Sequence, residues 1–149
     1  MKPWVYIASP YTKGDPGINT RFQMQMFDEL MNDGVVFPYP PLWSHFQHIA
    51  FPRKYQDWID YDLAIIDRLD ACLRLNAKHE PTGYFMGESS GADGEVAHFN
   101  NQGKPVFYSK EELYDWAGRL RRDNKPQGFS GTTEGPITTG PFRPVYSSC

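Results

Sequence analysis

Residues 55–75 read YQDWIDYDLAIIDRLDACLRL, and their period changes partway. Up to Leu69 the apolar side chains return every three or four positions, which predicts a helix over about 55–69. Ala71-Cys72-Leu73-Arg74-Leu75 then reads as a short apolar strand. The same alternation recurs outward in both directions. Trp4-Val5-Tyr6-Ile7-Ala8 is a β-prone run ended by Ser9-Pro10. Asn19 or Thr20 is expected to cap a helix carrying Phe22, Met26, Phe27, Leu30 and Met31, with Gly34 as its C-terminal stop. Val35-Val36-Phe37 reads as a second strand closed by Pro38, Pro40 and Pro41, and residues 38–54 as a loop holding Trp43, His45 and His48. A Gly-rich loop leads to a helix at about 92–101, and Lys104–Tyr108 forms a fourth strand. Ser109 with Glu112 makes a capping box for a last helix that turns Leu113, Trp116, Ala117 and Leu120 inward. Repeated strand–helix alternation predicts an α/β three-layer sandwich with a mainly parallel sheet of about four to five strands. Ligands on such sheets bind beyond the carboxyl ends of the strands, so the loops at 9–18, 38–54 and 76–94 are the ones to inspect.

The chain has 149 residues, 40% hydrophobic and 22% charged, which suits one ordinary domain. Gly and Pro concentrate at the end: residues 124–149 hold eight of them, about 31%, a level associated with low-complexity segments. The expected division is therefore an α/β body over 1–123 and a tail over 124–149, flexible or docked on a partner through Phe129, Phe142 and Tyr146. No apolar run approaches the roughly 18–20 residues that cross a bilayer, and Met1–Tyr11 has no signal-peptide core, so a cytoplasmic protein without membrane contact is expected. Cys72 and Cys149 are too few for a disulfide framework or a four-cysteine zinc site. A net charge of −3 argues against a nucleic-acid polymer and leaves small molecules as the expected partners.

Two features point to chemistry. On a helical wheel of about 100° per residue, Trp58, Ile59, Leu63, Ile65, Ile66 and Leu69 form one apolar arc, and Asp62 falls inside it. A carboxylate aimed at a core is costly unless it is paired or reaches a cavity, and such perturbed groups concentrate at functional sites. The bland reading is a buried Asp that caps a backbone amide or pairs with a buried Arg. Asp70, at the helix–strand junction, reads as structural. The second feature is Ser89-Ser90-Gly91-Ala92-Asp93-Gly94-Glu95. Small residues and free amides at a helix start suit a phosphate, with Glu95 in the first turn toward the bound molecule. A plain helix cap by Ser90 and Asp93 explains those two residues but neither the glycines nor Glu95. Two carboxylates on neighbouring elements are the usual equipment for cleaving a glycosidic bond.

Asp62-Leu63, Asp70 and the Ser89-x-Gly91-x-x-x-Glu95 spacing resemble the nucleoside 2-deoxyribosyltransferase superfamily, most closely its 2′-deoxynucleoside 5′-monophosphate N-glycosidase branch. Tyr6-Ile7-Ala8-Ser9-Pro10, Val36-Phe37-Pro38 and Gly103-Lys104-Pro105-Val106 are also similar, and the resemblance covers roughly residues 4–108. It implies a flavodoxin-like or Rossmann-like sandwich, usually a homodimer in which a neighbouring subunit often completes the pocket. It implies Glu95 as the nucleophile that attacks C1′, Asp62 as the residue that positions the sugar and assists proton transfer, and Ser89 as a phosphate-binding serine. Ser9, Tyr11, Asn19 and Arg21 would close over phosphate or sugar. Ser89-Ser90-Gly91-Ala92 departs from the Asp-led transferase pattern, which favours hydrolysis of a nucleotide. The segment Thr12–Gly17 lacks the Gly-Arg-rich pattern of the hydrolases, and Asn76–Glu88 is longer than theirs. No metal or organic cofactor is implied.

Among the remaining residues, His45 and His48, near Trp43, suit reading a base by stacking and hydrogen bonding, although a surface histidine is the simpler account of one of them. Tyr84 and Phe85 read either as a flap over the base or as a plug at a core edge. His98 lies one helical turn from Glu95 and reads as a packed histidine, Cys72 as a small core residue, and Trp58 and Trp116 as core. Two rival functions remain open at this point: transfer of the deoxyribose to another base, and a binding protein that sequesters a nucleotide without turnover.

Overall fold

A computed structural model describes residues 1–79, Tyr84 and 87–125. Phe85 of the expected flap and residues 126–149 of the expected tail lie outside the described residues. The elements run β1 (Trp4–Ala8), α1 (Pro16–Asp33), β2 (Phe37–Tyr39), a 3-10 turn (Pro41–Trp43), α2 (Ser44–Ala50), α3 (Tyr55–Ile66), β3 (Ala71–Arg74), a second 3-10 turn (Ala77–His79), α4 (Ser90–Asn101), β4 (Val106–Phe107) and α5 (Lys110–Asp123). The sheet has four strands in the order β2-β1-β3-β4, and every pair is parallel.

Side chains alternate across a strand, and this splits the core in two. Val5 and Ile7 of β1, with Ala71 and Leu73 of β3, face α1 and α5, meeting Phe22, Met26, Leu30, Leu113 and Ala117. Tyr6 and Ala8, with Cys72, face α3 and α4, meeting Ile66, Ala92, Val96 and Phe99. The result is a three-layer α/β sandwich with the flavodoxin-like strand order. Fully burying each large apolar side chain contributes roughly 1.5–3 kcal/mol, so both helix pairs are firmly anchored. Asp70 is structural, as expected: its Oδ2 accepts from the Trp4 amide at 2.7 Å and ties the starts of β1 and β3.

Several boundaries differ from the sequence reading, each for a local reason. The cap of α1 is Asp15, whose Oδ1 accepts from the Ile18 amide at 2.9 Å, and not Asn19 or Thr20. Pro16 suits the first helical position because its fixed φ and missing N–H cost nothing there. Gly34 ends α1 at φ 66°, as its placement predicts. The second strand is Phe37–Tyr39 and not Val35–Phe37; Pro38 is tolerated because β2 is an edge strand. The expected loop 38–54 contains a 3-10 turn and α2, and Pro41 opens the turn instead of breaking it. α3 stops at Ile66, with Leu69 buried just beyond it. β3 and β4 are shorter than the runs that predicted them. Ser89, not Ser90 with Asp93, caps α4: its Oγ accepts from the Ala92 amide at 3.2 Å. In α5 the Ser109 hydroxyl holds the Glu112 amide at 3.2 Å, while the Glu112 carboxylate reaches back to the Tyr108 amide at 3.4 Å. Among the described residues no helix is long and apolar enough to cross a membrane.

The run into α4 depends on Gly87, which sits at φ 72°, where a Cβ would lie 2.7 Å from the Ala77 amide nitrogen. Gly87→Ala is therefore expected to cost about 1–3 kcal/mol. Gly94, inside α4, has nothing within 4 Å of a Cβ. Gly94→Ala is expected to gain about 0.5–1 kcal/mol. Thermal melts of the two variants should shift in opposite directions.

Candidate active site

β1 is paired with β2 on one side and β3 on the other, so the chain leaving β1 and the chain leaving β3 part in opposite directions. Crevices at such switch points are where α/β sheets bind ligands. Here a cavity of about 690 Å³ opens beyond the carboxyl ends of β1 and β3. Ser9, Tyr11, Thr12 and Lys13 line it from the β1 side, and Ser89, Ser90, Gly91 and Glu95 from the start of α4. α3 contributes Tyr55, Trp58, Ile59 and Asp62. A smaller recess of about 280 Å³ shares both carboxylates and adds Gln56, Leu63 and Gly94.

The two acidic side chains singled out in the sequence thus line one cavity. Asp62 has neither a backbone amide nor an arginine for a partner: among the described residues no hydrogen bond or ion pair engages it. Burial raises its carboxyl from the ordinary aspartate range to about 7. Glu95 is held differently. Its Oε1 accepts a 2.8 Å hydrogen bond from the Tyr6 hydroxyl, and no described residue bonds Oε2. Burial raises the Glu95 carboxyl to about 8; the Tyr6 hydrogen bond pulls it down, Asp62 pushes it up and Arg74 pulls it down. Tyr6 itself is fully buried, its ring 5.9 Å from those of Tyr39 and Phe99, and its own pKa is raised by burial and by Glu95. The phenol is therefore a neutral, fixed donor.

Arg74, the last residue of β3, sets the position of the α4 end. Its guanidinium is buried and donates to the carbonyls of Leu75 and Gly87, the latter at 2.7 Å, and to Asp93 at 3.3 Å. These bonds tie the loop before α4 to the sheet beneath it. Two cationic side chains also line the cavity, Arg53 and Lys13, the latter paired with Glu88 at 2.6 Å. Ser89 Oγ is occupied as an acceptor by its capping bond, which leaves its hydrogen to donate. No group of three or more His, Cys, Asp or Glu among the described residues is arranged to hold a metal ion.

Four residues expected at the site lie elsewhere. Asn19 is fully buried behind the β1 loop, where its Nδ2 holds the carbonyls of Tyr11 and Lys13 at 2.9 and 2.8 Å. Arg21 is exposed on α1 and outside the cavity lining. Trp43 turns its indole N–H to the Tyr39 hydroxyl at 2.9 Å. His45 lies behind Tyr11, Nδ1 to hydroxyl at 2.7 Å. It is His48 that lines the cavity, and its Nδ1 accepts from Trp58 Nε1 at 2.9 Å, so Trp58 belongs to the site wall and not to the core. His98 pairs with Asp67 at the surface, at 2.9 Å, and does not tune Glu95. Tyr6 and Arg74 were missed as site residues. Their signal was a polar group at alternate positions of strands read only for hydrophobicity.

No protein-family model, curated protein or solved structure matches this chain.

The raised carboxyls fix the sign of a stability change. Folded, Glu95 keeps its proton up to about 8. Unfolded, it releases it near the ordinary glutamate value of about 4.3. Between these values the folded state binds more protons, so its stability falls as pH rises. Asp62 acts in the same sense up to about 7. Glu95→Gln keeps the acceptor for Tyr6 and removes the ionisation. At pH 9 it is expected to melt at least about 3 °C above the parent, and the gap should shrink as pH falls and close only below about 4.3. A series of thermal melts across pH reads this directly.

Proposed function

We propose that this chain hydrolyses the N-glycosidic bond of a (deoxy)nucleoside 5′-monophosphate, releasing the free base and a sugar 5-phosphate. The observation that carries the reading is that Asp62 of α3 and Glu95 of α4 line one cavity, with Glu95 held, among the described residues, at one oxygen. A carboxylate fixed through Oε1 offers Oε2 to an electrophilic carbon. Oε2 attacks C1′, and the C1′–N bond breaks with its electron pair passing to the base. Of the pair's two one-proton forms, the reactive one has the proton on Asp62 and is the less populated, because Glu95 holds a proton more tightly; in that form Asp62 protonates the departing nitrogen. In the second half a water attacks C1′ and gives its proton to the Asp62 carboxylate. The ester bond to Glu95 breaks, and both side chains return to their starting state. The phosphate is assigned to the part of the cavity wall formed by Lys13, Arg53, Ser89 and the start of α4, a setting that favours an anion.

Incubation with the four common 2′-deoxynucleoside 5′-monophosphates, with chromatography for free base, tests the reading. Glu95→Ala is expected to lower turnover by about 10³-fold or more. Asp62→Asn is expected to lower it between about 10²- and 10⁴-fold. The working pair carries one proton, so kcat/KM should follow a bell in pH. Its acid limb reflects protonation of both carboxyls and its alkaline limb loss of the last proton. With the two groups at about 7 and about 8, the maximum should lie between those values. Absence of free base from all four nucleotides and from their ribonucleotide counterparts would sink the proposal. Addition of a second base, with a search for a new nucleotide, separates transfer from hydrolysis.

A further inference from the structure

Gln23 of α1 is fully buried and has no part in the chemistry above. It lies on the helix face that carries Met26 and Leu30 into the core. Three hydrogen bonds hold its amide. Nε2 donates to the Ile7 carbonyl at 3.0 Å and to Ser9 Oγ at 2.7 Å, and Oε1 accepts from the Leu42 amide at 2.8 Å. One side chain thus joins the end of β1 to the turn after β2, and both Ser9 and Leu42 line the cavity.

An amide can in general be turned so that its oxygen and nitrogen exchange places. Here the backbone forbids the turn. The Ile7 carbonyl only accepts and the Leu42 amide only donates, so exchange would set like against like at both. Each buried backbone group left unpaired would bear the full cost of its desolvation. With the amide fixed, the second hydrogen on Nε2 reaches Ser9 Oγ, and Ser9 must accept there. The hydroxyl keeps one hydrogen, and no described residue receives it.

We propose that Gln23 is a positioning residue that fixes the Ser9 hydroxyl as a donor toward the bound ligand, and that the ligand atom it meets is an anionic phosphoryl oxygen. The assignment rests on the nucleotide reading of the site. An ionised phosphoryl oxygen forms the stronger bond with a hydroxyl donor than a sugar hydroxyl does.

The experiment compares kcat and KM for the four 2′-deoxynucleoside 5′-monophosphates and for the matching nucleosides. Gln23→Met, similar in shape but without hydrogen-bonding groups, is expected to raise KM for the monophosphate about tenfold. kcat, and KM for the nucleoside, should stay within about twofold. Ser9→Ala should behave alike, and the double variant should be no worse than either single one. Losses that multiply, or that fall equally on the nucleoside, overturn the proposal. Gln23→Glu keeps an acceptor for the Leu42 amide without the donor for Ser9, and replaces the methionine variant if that does not fold. If the parent cleaves none of the nucleotides, the proposed activity fails on its own, and the rise in melting temperature on adding a monophosphate becomes the readout. That rise should shrink in the Ser9 and Gln23 variants without adding in the double variant. A full rise in the Gln23 variant, or none in the parent, overturns the positioning role.

Discussion

β1 is paired in parallel with β2 on one side and β3 on the other, and a parallel neighbour is reached only by a crossover that returns over the face of the sheet. Everything that matters at the cavity follows from that geometry. The crossovers leave a crevice beyond the carboxyl ends of β1 and β3, and the helices that cover the sheet end or begin beside it. Strand alternation then decides which side chains share a compartment with the carboxylates. Tyr6 faces α3 and α4, while Val5 and Ile7 face away. A one-residue slip in β1 would put an aliphatic side chain under Glu95 in place of a phenol.

Three buried polar side chains hold the crevice in shape: Tyr6 under Glu95, Arg74 under the loop before α4, and Gln23 between β1 and the turn after β2. A buried polar group is costly when unpaired and specific when paired, because its partners must sit at fixed directions. Each of the three joins segments distant in sequence, so none stabilises an isolated helix or strand. They set the relative position of the loops from which the site is assembled. The carboxylates are the counterpart: among the described residues Asp62 has no hydrogen-bonding or ionic partner and Glu95 is held at one oxygen, and burial lifts both toward the neutral range where a carboxyl can give and take protons.

Where the sequence misled, a local signal was weighed without its neighbours. Pro40 and Pro41 read as the start of a long loop, yet proline is well suited to the first turn of a helical segment, and α2 follows. Asn19 looked like a helix cap because Asn commonly is one. Asp15 before Pro16 was the better pair, and Asn19 instead braces the β1 loop from inside. Residue type alone could not separate His45 from His48, which were read together as candidates for contacting a base. On a seven-residue helix, which of two histidines three positions apart faces a cavity depends on how the helix is docked. Gln23 was within reach: the wheel that isolated Asp62 on α3 places Gln23 beside Met26 and Leu30 on α1. It passed unnoticed because an uncharged amide in an apolar stripe gives a weaker contrast than a carboxylate.

The amino-acid sequence by itself determined the class of fold, the parallel character of the sheet and Asp62 as an acidic residue out of place. These are written in periodicity, which depends only on residues close along the chain. That Asp62 and Glu95 open into one cavity, that Tyr6 is the donor to Glu95, and that His48 and not His45 stands in the wall were decided by tertiary structure. Such facts depend on strand order, on helix docking and on which buried donor finds which acceptor, all of them relations between segments that no local pattern encodes.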